Sequence, residues 1–267
     1  RGLGDVYKRQ MYTLCGKDRI HPSTDGHLVM AYLFLKAQGL AGKPVADIRI
    51  DGAGKKVTRS DNCRVSDLSV SSDNLTFTYE AKSLPYPIDT SYYDNEKHTQ
   101  ADALSVIPFM DEMNYEGLSV SGLSDGYYGL TIGGEFIGRF TARELERGIN
   151  MTLLQNTPQY KQAMKIRQMN EERWLKERKM REFYWVEYNL MRKTGMLWAC
   201  NEAAVDTLRK YRPHDIFLQW NGDLWLQYMH KGIREDCVNE QQDLVNRIYE
   251  QNKPIPLRIE IKKFTDL

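Results

Sequence analysis

Asp18-Arg19-Ile20-His21-Pro22-Ser23-Thr24-Asp25-Gly26-His27, running into Leu28-Val29-Met30-Ala31-Tyr32-Leu33, is the stretch from which the fold and chemistry of this chain are read. An Asp three residues before a His, with Pro next and a helix behind it, is a spacing that builds two members of a hydrolytic triad. The carboxylate fixes the imidazole tautomer and stabilises the imidazolium, and the imidazole takes the proton of a serine hydroxyl. Ser23 or Thr24 can cap a helix. Leu28, Val29, Tyr32, Leu33 and Leu35 then follow at helical spacing, which predicts one apolar face. Gly39 is placed to end the helix, and Gly42-Lys43-Pro44 reads as a linker.

The whole pattern Asp-x-x-His-Pro-x-x-x-Gly-His before an apolar helix resembles the last conserved block of SGNH/GDSL-type serine esterases. In that family the block closes an α/β catalytic domain. The resemblance implies that His21 is the general base, that Asp18 orients it, and that the substrate is an ester, with carbohydrate-linked acyl esters as one class. It also implies a secreted or periplasmic bacterial protein. His27 is expected to have a structural role at the helix start. The family's other blocks are not found. No Gly-Asp-Ser occurs, and Trp220-Asn221-Gly222-Asp223 has the wrong order for the Gly-x-Asn-Asp block that supplies oxyanion donors. Gly122-Leu123-Ser124-Asp125 superficially resembles the nucleophile motif, but it lies between two alternating segments and reads as a hairpin turn. A base without a nucleophile or oxyanion donors has nothing to activate, so this chain by itself is expected to be inactive.

The block stands unusually early. Residues 1–10, Arg-Gly-Leu-Gly-Asp-Val-Tyr-Lys-Arg-Gln, back-translate from Asp5 onward to the end of a transposase adapter and read as a sequencing scar. They are set aside in reading the fold. The expected organisation is α+β: residues 11–41 as the remnant of an α/β hydrolase domain, 42–140 as an antiparallel β-sandwich-like module, and 141–267 as a mainly helical region with a short final strand.

The periods support that division. Val45 to Ile50, Val65 to Val70 and Leu75 to Glu80 alternate, with Ser71-Ser72-Asp73-Asn74 as a turn. Gly133-Gly134 between Tyr127–Ile132 and Glu135–Phe140 is a two-residue hairpin signature. Leu84 to Gln100 holds two prolines and three tyrosines and reads as a long surface loop, a common location of function. Thr141-Ala142-Arg143-Glu144 is a capping box, and Asn156-Thr157-Pro158 puts Pro at the first position of a long helix reaching about Lys193. Further helices are expected over 198–211 and 235–251, and Leu257 to Ile261 alternates as a last strand. Gly126-Tyr127-Tyr128-Gly129-Leu130, Gly148-Ile149-Asn150 and Thr157-Pro158-Gln159-Tyr160 are less specific phrases that look like the β-then-helix arrangement of multi-domain members of the same family.

Composition narrows the classes. The 267 residues carry a net charge of +1, which gives no global case for nucleic acid or an anionic membrane. No apolar run approaches the ~20 residues of a spanning helix. Cys15, Cys63, Cys200 and Cys237 show no Cys-x-x-Cys spacing, and His98, His214 and His230 lack metal-ligand spacing. No cofactor motif is present. From Lys161 to Glu182 there are eight Lys and Arg against four Glu, a local excess of four. Glu172–Lys176 and Glu177–Arg181 fit the i,i+4 pairs of a solvated face. Trp185, Trp198, Trp220 and Trp225, with Tyr184, Tyr188, Tyr211 and Tyr228, are expected to be core on helices of this spacing. Two functions remain in view: part of an ester hydrolase, or a non-catalytic glycan- or protein-binding module carrying a vestigial triad block.

Overall fold

A computed structural model describes residues 13–15, 19–91 and 98–264. The fold is α+β, with two sheets and a helical C-terminal region. The chain divides into two compact units, Arg1–Met164 with Lys253–Leu267, and Lys165–Asn252.

The first unit opens with helix α1 (Thr24–Ala37). Strands β1 (Ala46–Asp51), β2 (Lys56–Asp61), β3 (Cys63–Val70) and β4 (Asn74–Ala81) follow. A 3-10 turn at Gln100–Ser105 and the one-turn helix α2 (Phe109–Glu112) lead into β5 (Glu116–Ser121), β6 (Tyr127–Ile132) and β7 (Glu135–Thr141). Helix α3 (Ala142–Arg147) and the short β8 (Ile149–Asn150) come next. Helix α4 (Pro158–Val186) starts at the proline expected to start it. The last strand, β9 (Leu257–Lys263), also belongs to this unit.

The strands form a four-stranded sheet of order β2-β1-β5-β8 and a five-stranded sheet of order β3-β4-β9-β6-β7. Alternation puts Leu75, Phe77 and Tyr79 of β4 and Ile259 and Ile261 of β9 into a core shared with Ile48, Ile50, Leu118 and Val120 of the other sheet. Most pairings are antiparallel, but β1 and β5 pair in parallel, Ala46 with Glu116 through Asp51 with Ser121. Period-two alternation is the same in both arrangements, so the sequence carries no signal for this pair. Gly133 and Gly134 both have positive φ, 59° and 85°, as the tight β6–β7 turn requires. β5 and β6 lie in different sheets, so the segment 122–126 is not a hairpin turn; it carries the chain from one sheet to the other.

The second unit holds the rest of α4, a π-helical turn at Glu187–Met191, α5 (Glu202–Tyr211), α6 (Ile216–Tyr228) and α7 (Lys231–Gln251). Asn201 and Asp215 cap α5 and α6 through side-chain oxygens that accept from Ala204 N at 3.0 Å and Phe217 N at 2.8 Å. Phe183, Val186, Met191, Leu208, Leu218 and Trp225 fill its core. The buried Glu187 carboxylate accepts the Trp225 indole N–H and the Trp198 backbone N–H, both at 2.8 Å. The expected aromatic core is therefore divided. Trp225 and Tyr228 are buried, whereas Trp198, Trp220, Tyr184, Tyr188 and Tyr211 are exposed. Among the described residues no helix is long and apolar enough to cross a membrane.

Candidate functional site

The helix start that bears His21 is built on main-chain contacts. Ser23 N donates to Leu14 O at 3.2 Å, and Cys15 and Pro22 form an isolated antiparallel bridge, which closes a turn before α1. His21 sits exposed on that turn. Arg19 within it has φ of 58°, a conformation that non-glycine residues seldom adopt. Asp18, the partner expected from spacing, lies outside the described residues.

Gly26 has a steric reason to be glycine. A Cβ there would lie 1.9 Å from Leu14 O, so only a residue without a side chain lets the helix start approach that carbonyl. Ser23 occupies the N-cap position with extended φ and ψ of −72° and 174°, yet its hydroxyl does not cap the helix. It donates instead to Asp25 Oδ1, which also accepts from Gly26 N at 2.9 Å. The His27 ring lies with Nδ1 3.1 Å from Ser23 O. This contact fits the structural role expected of it.

Asp25 is a member of the site that sequence reasoning missed. Its carboxylate is fully buried, and Oδ2 lies 3.7 Å from His98 Nδ1. His98 comes from the end of the long loop, immediately before Thr99, whose capping box with Asp102 opens the 3-10 turn. Three of the five histidines, His21, His27 and His98, thus gather at one helix start. The Thr99-x-x-Asp102 cap was readable in the sequence; the pairing across to Asp25 was not, because it is set by packing between distant segments.

That packing is specific. Leu28, Val29 and Tyr32 of α1 are buried against Ile88, Ala103, Ile107 and Phe109. Tyr32 Oη donates to Glu112 Oε2 at 2.7 Å, and Lys36 Nζ donates to the same oxygen at 2.7 Å. The Lys36 ammonium and the Tyr32 hydroxyl hold the Glu112 carboxyl below its ordinary range. The single apolar face read from the sequence is in fact two. Leu28, Val29 and Tyr32 face the unit's own residues, while Met30, Leu33 and Phe34 are exposed. The loop's described parts are also pinned. Asn114 Oδ1 accepts from Tyr86 N at 2.8 Å and its Nδ2 donates to Tyr86 O at 2.9 Å, while Tyr160 Oη donates to Ile88 O at 2.8 Å. Residues 92–97 of that loop lie outside the described residues.

Ser124 is elsewhere and differently bonded. Lys263 Nζ donates to its Oγ at 2.7 Å, and Oγ lies 3.1 Å from Tyr128 Oη. These described contacts are to a lysine and a tyrosine, with no imidazole among them, unlike the Ser-His pair that the triad block implies. Among the described residues no group of three or more His, Cys, Asp or Glu is placed to hold a metal ion.

Comparison with known proteins adds three findings. The family model described as the diltiazem deacetylase C-terminal helical domain matches residues 164–253, which coincides with the second compact unit. A solved structure described as a gut microbial diltiazem-metabolizing enzyme superposes with a TM-score of 0.91 at 39% sequence identity, covering 98% of this chain and 59% of that one. The chain therefore spans less than two thirds of that protein's length. No curated protein matches the chain.

Proposed function

We propose that this chain is the C-terminal part of an SGNH/GDSL-type ester hydrolase, with His21 as general base and Asp18 as the carboxylate that orients it. The observation that carries the reading is the likeness at 39% identity over 98% of the chain to a diltiazem-metabolizing enzyme, together with a family description that names deacetylation. Removal of an acetyl group from an ester is the chemistry that a serine, an imidazole and an oxyanion hole perform. The serine attacks the acyl carbonyl, His21 takes the serine proton and then gives it to the leaving alcohol, and water releases the acyl group by the same route in reverse.

Three structural features support His21 in that role. It is exposed, it stands on a turn fixed by main-chain bonds, and a glycine-specific contact locks the helix behind it. The serine and the oxyanion donors would come from sequence beyond this chain, as the greater length of the related enzyme allows. The exposed row Met30, Leu33 and Phe34 suits a helix that packs on such additional chain. In this reading residues 11–41 end the hydrolase domain, and the β-rich and helical regions accompany it. The substrate is an acyl ester. An acetylated drug such as diltiazem and acetylated carbohydrates are the classes to compare, and a secreted or periplasmic location follows from the resemblance.

The test is to restore the upstream reading frame and assay acetyl ester hydrolysis. The extended protein is expected to turn over acetyl esters, and His21→Ala is expected to lower kcat by at least ~10³-fold. The 267-residue chain alone is expected to show none. Wild-type rates in His21→Ala, or turnover by the chain alone that is lost in Ser124→Ala, would each refute the assignment.

A further inference from the structure

We propose that the helical unit carries a binding groove for a neutral oligosaccharide along one face of α4. Trp174, Arg178, Arg181, Glu182 and Trp185 stand at i, i+4, i+7, i+8 and i+11 on that helix, so they share one face over three turns, about 16 Å. They line a single groove of about 340 Å³, and Asn221 of α6 closes it from the other side. The Trp174 side chain is 45% exposed. Trp185 is held from behind by Phe217, ring centroids 5.2 Å apart, and Phe217 meets the edge of Trp220 at 5.4 Å. The groove thus offers an indole at each end and planar polar groups between them.

The polar groups are preset and nearly charge-balanced, and this selects among possible occupants. Arg178 Nε donates to Glu182 at 2.8 Å, and Arg181 lies 3.8 Å from Glu177 while its guanidinium sits 5.6 Å from the Trp174 ring centroid. Arg178 is paired to Glu182, while Arg181 shares Glu177 with Arg173, which lies closer at 3.1 Å, so the lining carries a single excess positive charge, fewer than the several cations that a polyanion requires. Four polar residues to two indoles is also too polar a lining for an apolar helix face. An extended chain of sugar rings matches both parts. The C–H face of a pyranose lies flat on an indole and gains dispersion contact. Its hydroxyls can accept from Arg178, donate to Glu182 and do both with the Asn221 amide. Two indoles three helical turns apart call for a ligand of at least three rings.

The experiment is calorimetric or NMR titration of the 267-residue chain with cellotetraose, xylotetraose and mannotetraose, with trigalacturonate as the acidic comparison. At least one neutral tetrasaccharide is expected to bind with a Kd below about 1 mM, a typical strength for a shallow site. Trp174→Ala and Asn221→Ala, both at solvent-accessible positions, are each expected to weaken it tenfold or more while leaving the circular dichroism spectrum unchanged. Trp198→Ala, an exposed aromatic outside the groove, is expected to leave it within twofold. Binding that persists in 0.5 M salt supports the proposal. Failure of all three neutral ligands at 10 mM, binding of the uronate alone, or concentration-dependent self-association abolished by Trp174→Ala would overturn it. None of these readouts depends on turnover, so the result stands apart from the fate of the His21 assignment.

Discussion

In the β unit, the strand at the middle of the larger sheet is the last in sequence among the described residues. β9 pairs with β4 on one side and β6 on the other, and the helical unit is threaded between β8 and β9 in sequence. In the helical unit the chain from Lys165 to Asn252 is continuous, and its core is made by neighbouring helices. The first unit closes only when a distant segment returns, which costs loop-closure entropy before any contact forms. The second can assemble locally. The two units also differ in how they hold a buried carboxylate. Glu116 in the β unit accepts from the Tyr79 hydroxyl at 2.7 Å and from Gln159 Nε2 at 3.3 Å. Glu187 in the helical unit accepts two N–H groups, each at 2.8 Å. Neither has a cation among these bonds.

The largest expected effect tests the difference in closure. Ending the chain at Asn252 removes β9 and with it the buried Leu257, Ile259 and Ile261. Their transfer energy is about 5–9 kcal/mol, comparable to the whole stability of a domain. The truncated protein is expected to lose protected amides in β4 and β6 by hydrogen exchange while the helices of 165–252 stay protected. Loss of protection in both units together would show that the helical unit does not stand alone.

Next come the two carboxylates. Glu187→Ala leaves the Trp225 indole N–H and the Trp198 amide without their acceptor, at a cost of about 2–6 kcal/mol if both remain buried. The expected result is a lower melting transition with an altered near-ultraviolet tryptophan signal. Glu116 is expected to show itself through pH. Burial pushes its pKa up to about 7, against the opposing pull of the Tyr79 and Gln159 bonds. Because the folded pKa lies above the unfolded one, its stabilising contribution is full below about pH 4.5 and is lost as pH rises through about 7. The limit is about 3 kcal/mol. Denaturant titrations from pH 5 to 8.5 should show stability of the β unit falling up to about pH 7 and levelling above it, and Glu116→Gln should flatten the curve. An equal slope in Glu116→Gln would place the titrating group elsewhere.

What could be read from the sequence divides along the same line of local against distant. Gly133-Gly134, Pro158 and the Thr141 cap are decided within a few residues, and all three were legible. The helix behind His21 was legible too, while the need for glycine at position 26 is revealed only by the Leu14 contact. α6 was not among the expected helices, and its Asn221-Gly222-Asp223 consists of weak helix formers. A side chain at Gly222 would crowd Arg212, whose Nε lies 3.1 Å from the Cβ position and whose guanidinium pairs with Asp223 at 2.6 and 2.7 Å. The parallel β1–β5 pair, the central place of β9 and the Asp25–His98 approach all depend on segments far apart in the chain. Lys176 was expected to pair with Glu172 on its own helix; it donates to Glu240 of α7. Helical spacing could not divide the aromatics into core and surface, because a buried face and an exposed stripe repeat at the same period.

The smallest expected effect lies where sequence and structure agree most fully. Thr141 Oγ1 accepts from Glu144 N at 3.2 Å, and Thr141 N donates to Glu144 Oε2 at 2.7 Å, so two unpaired donors at the start of α3 are met reciprocally. These bonds hold the Glu144 carboxyl below its usual range. The helix is only six residues long, but it carries Leu145 fully buried into the core of the β unit. Thr141→Ala removes one acceptor from a surface turn and should cost about 1 kcal/mol. Thr141→Ser keeps the acceptor and should stay within about 0.5 kcal/mol of wild type. Both changes should move the β-unit transition and leave the helical unit's transition in place. A loss in Thr141→Ser as large as in Thr141→Ala would mean that the methyl group, packed where β7 meets α3, matters more than the cap.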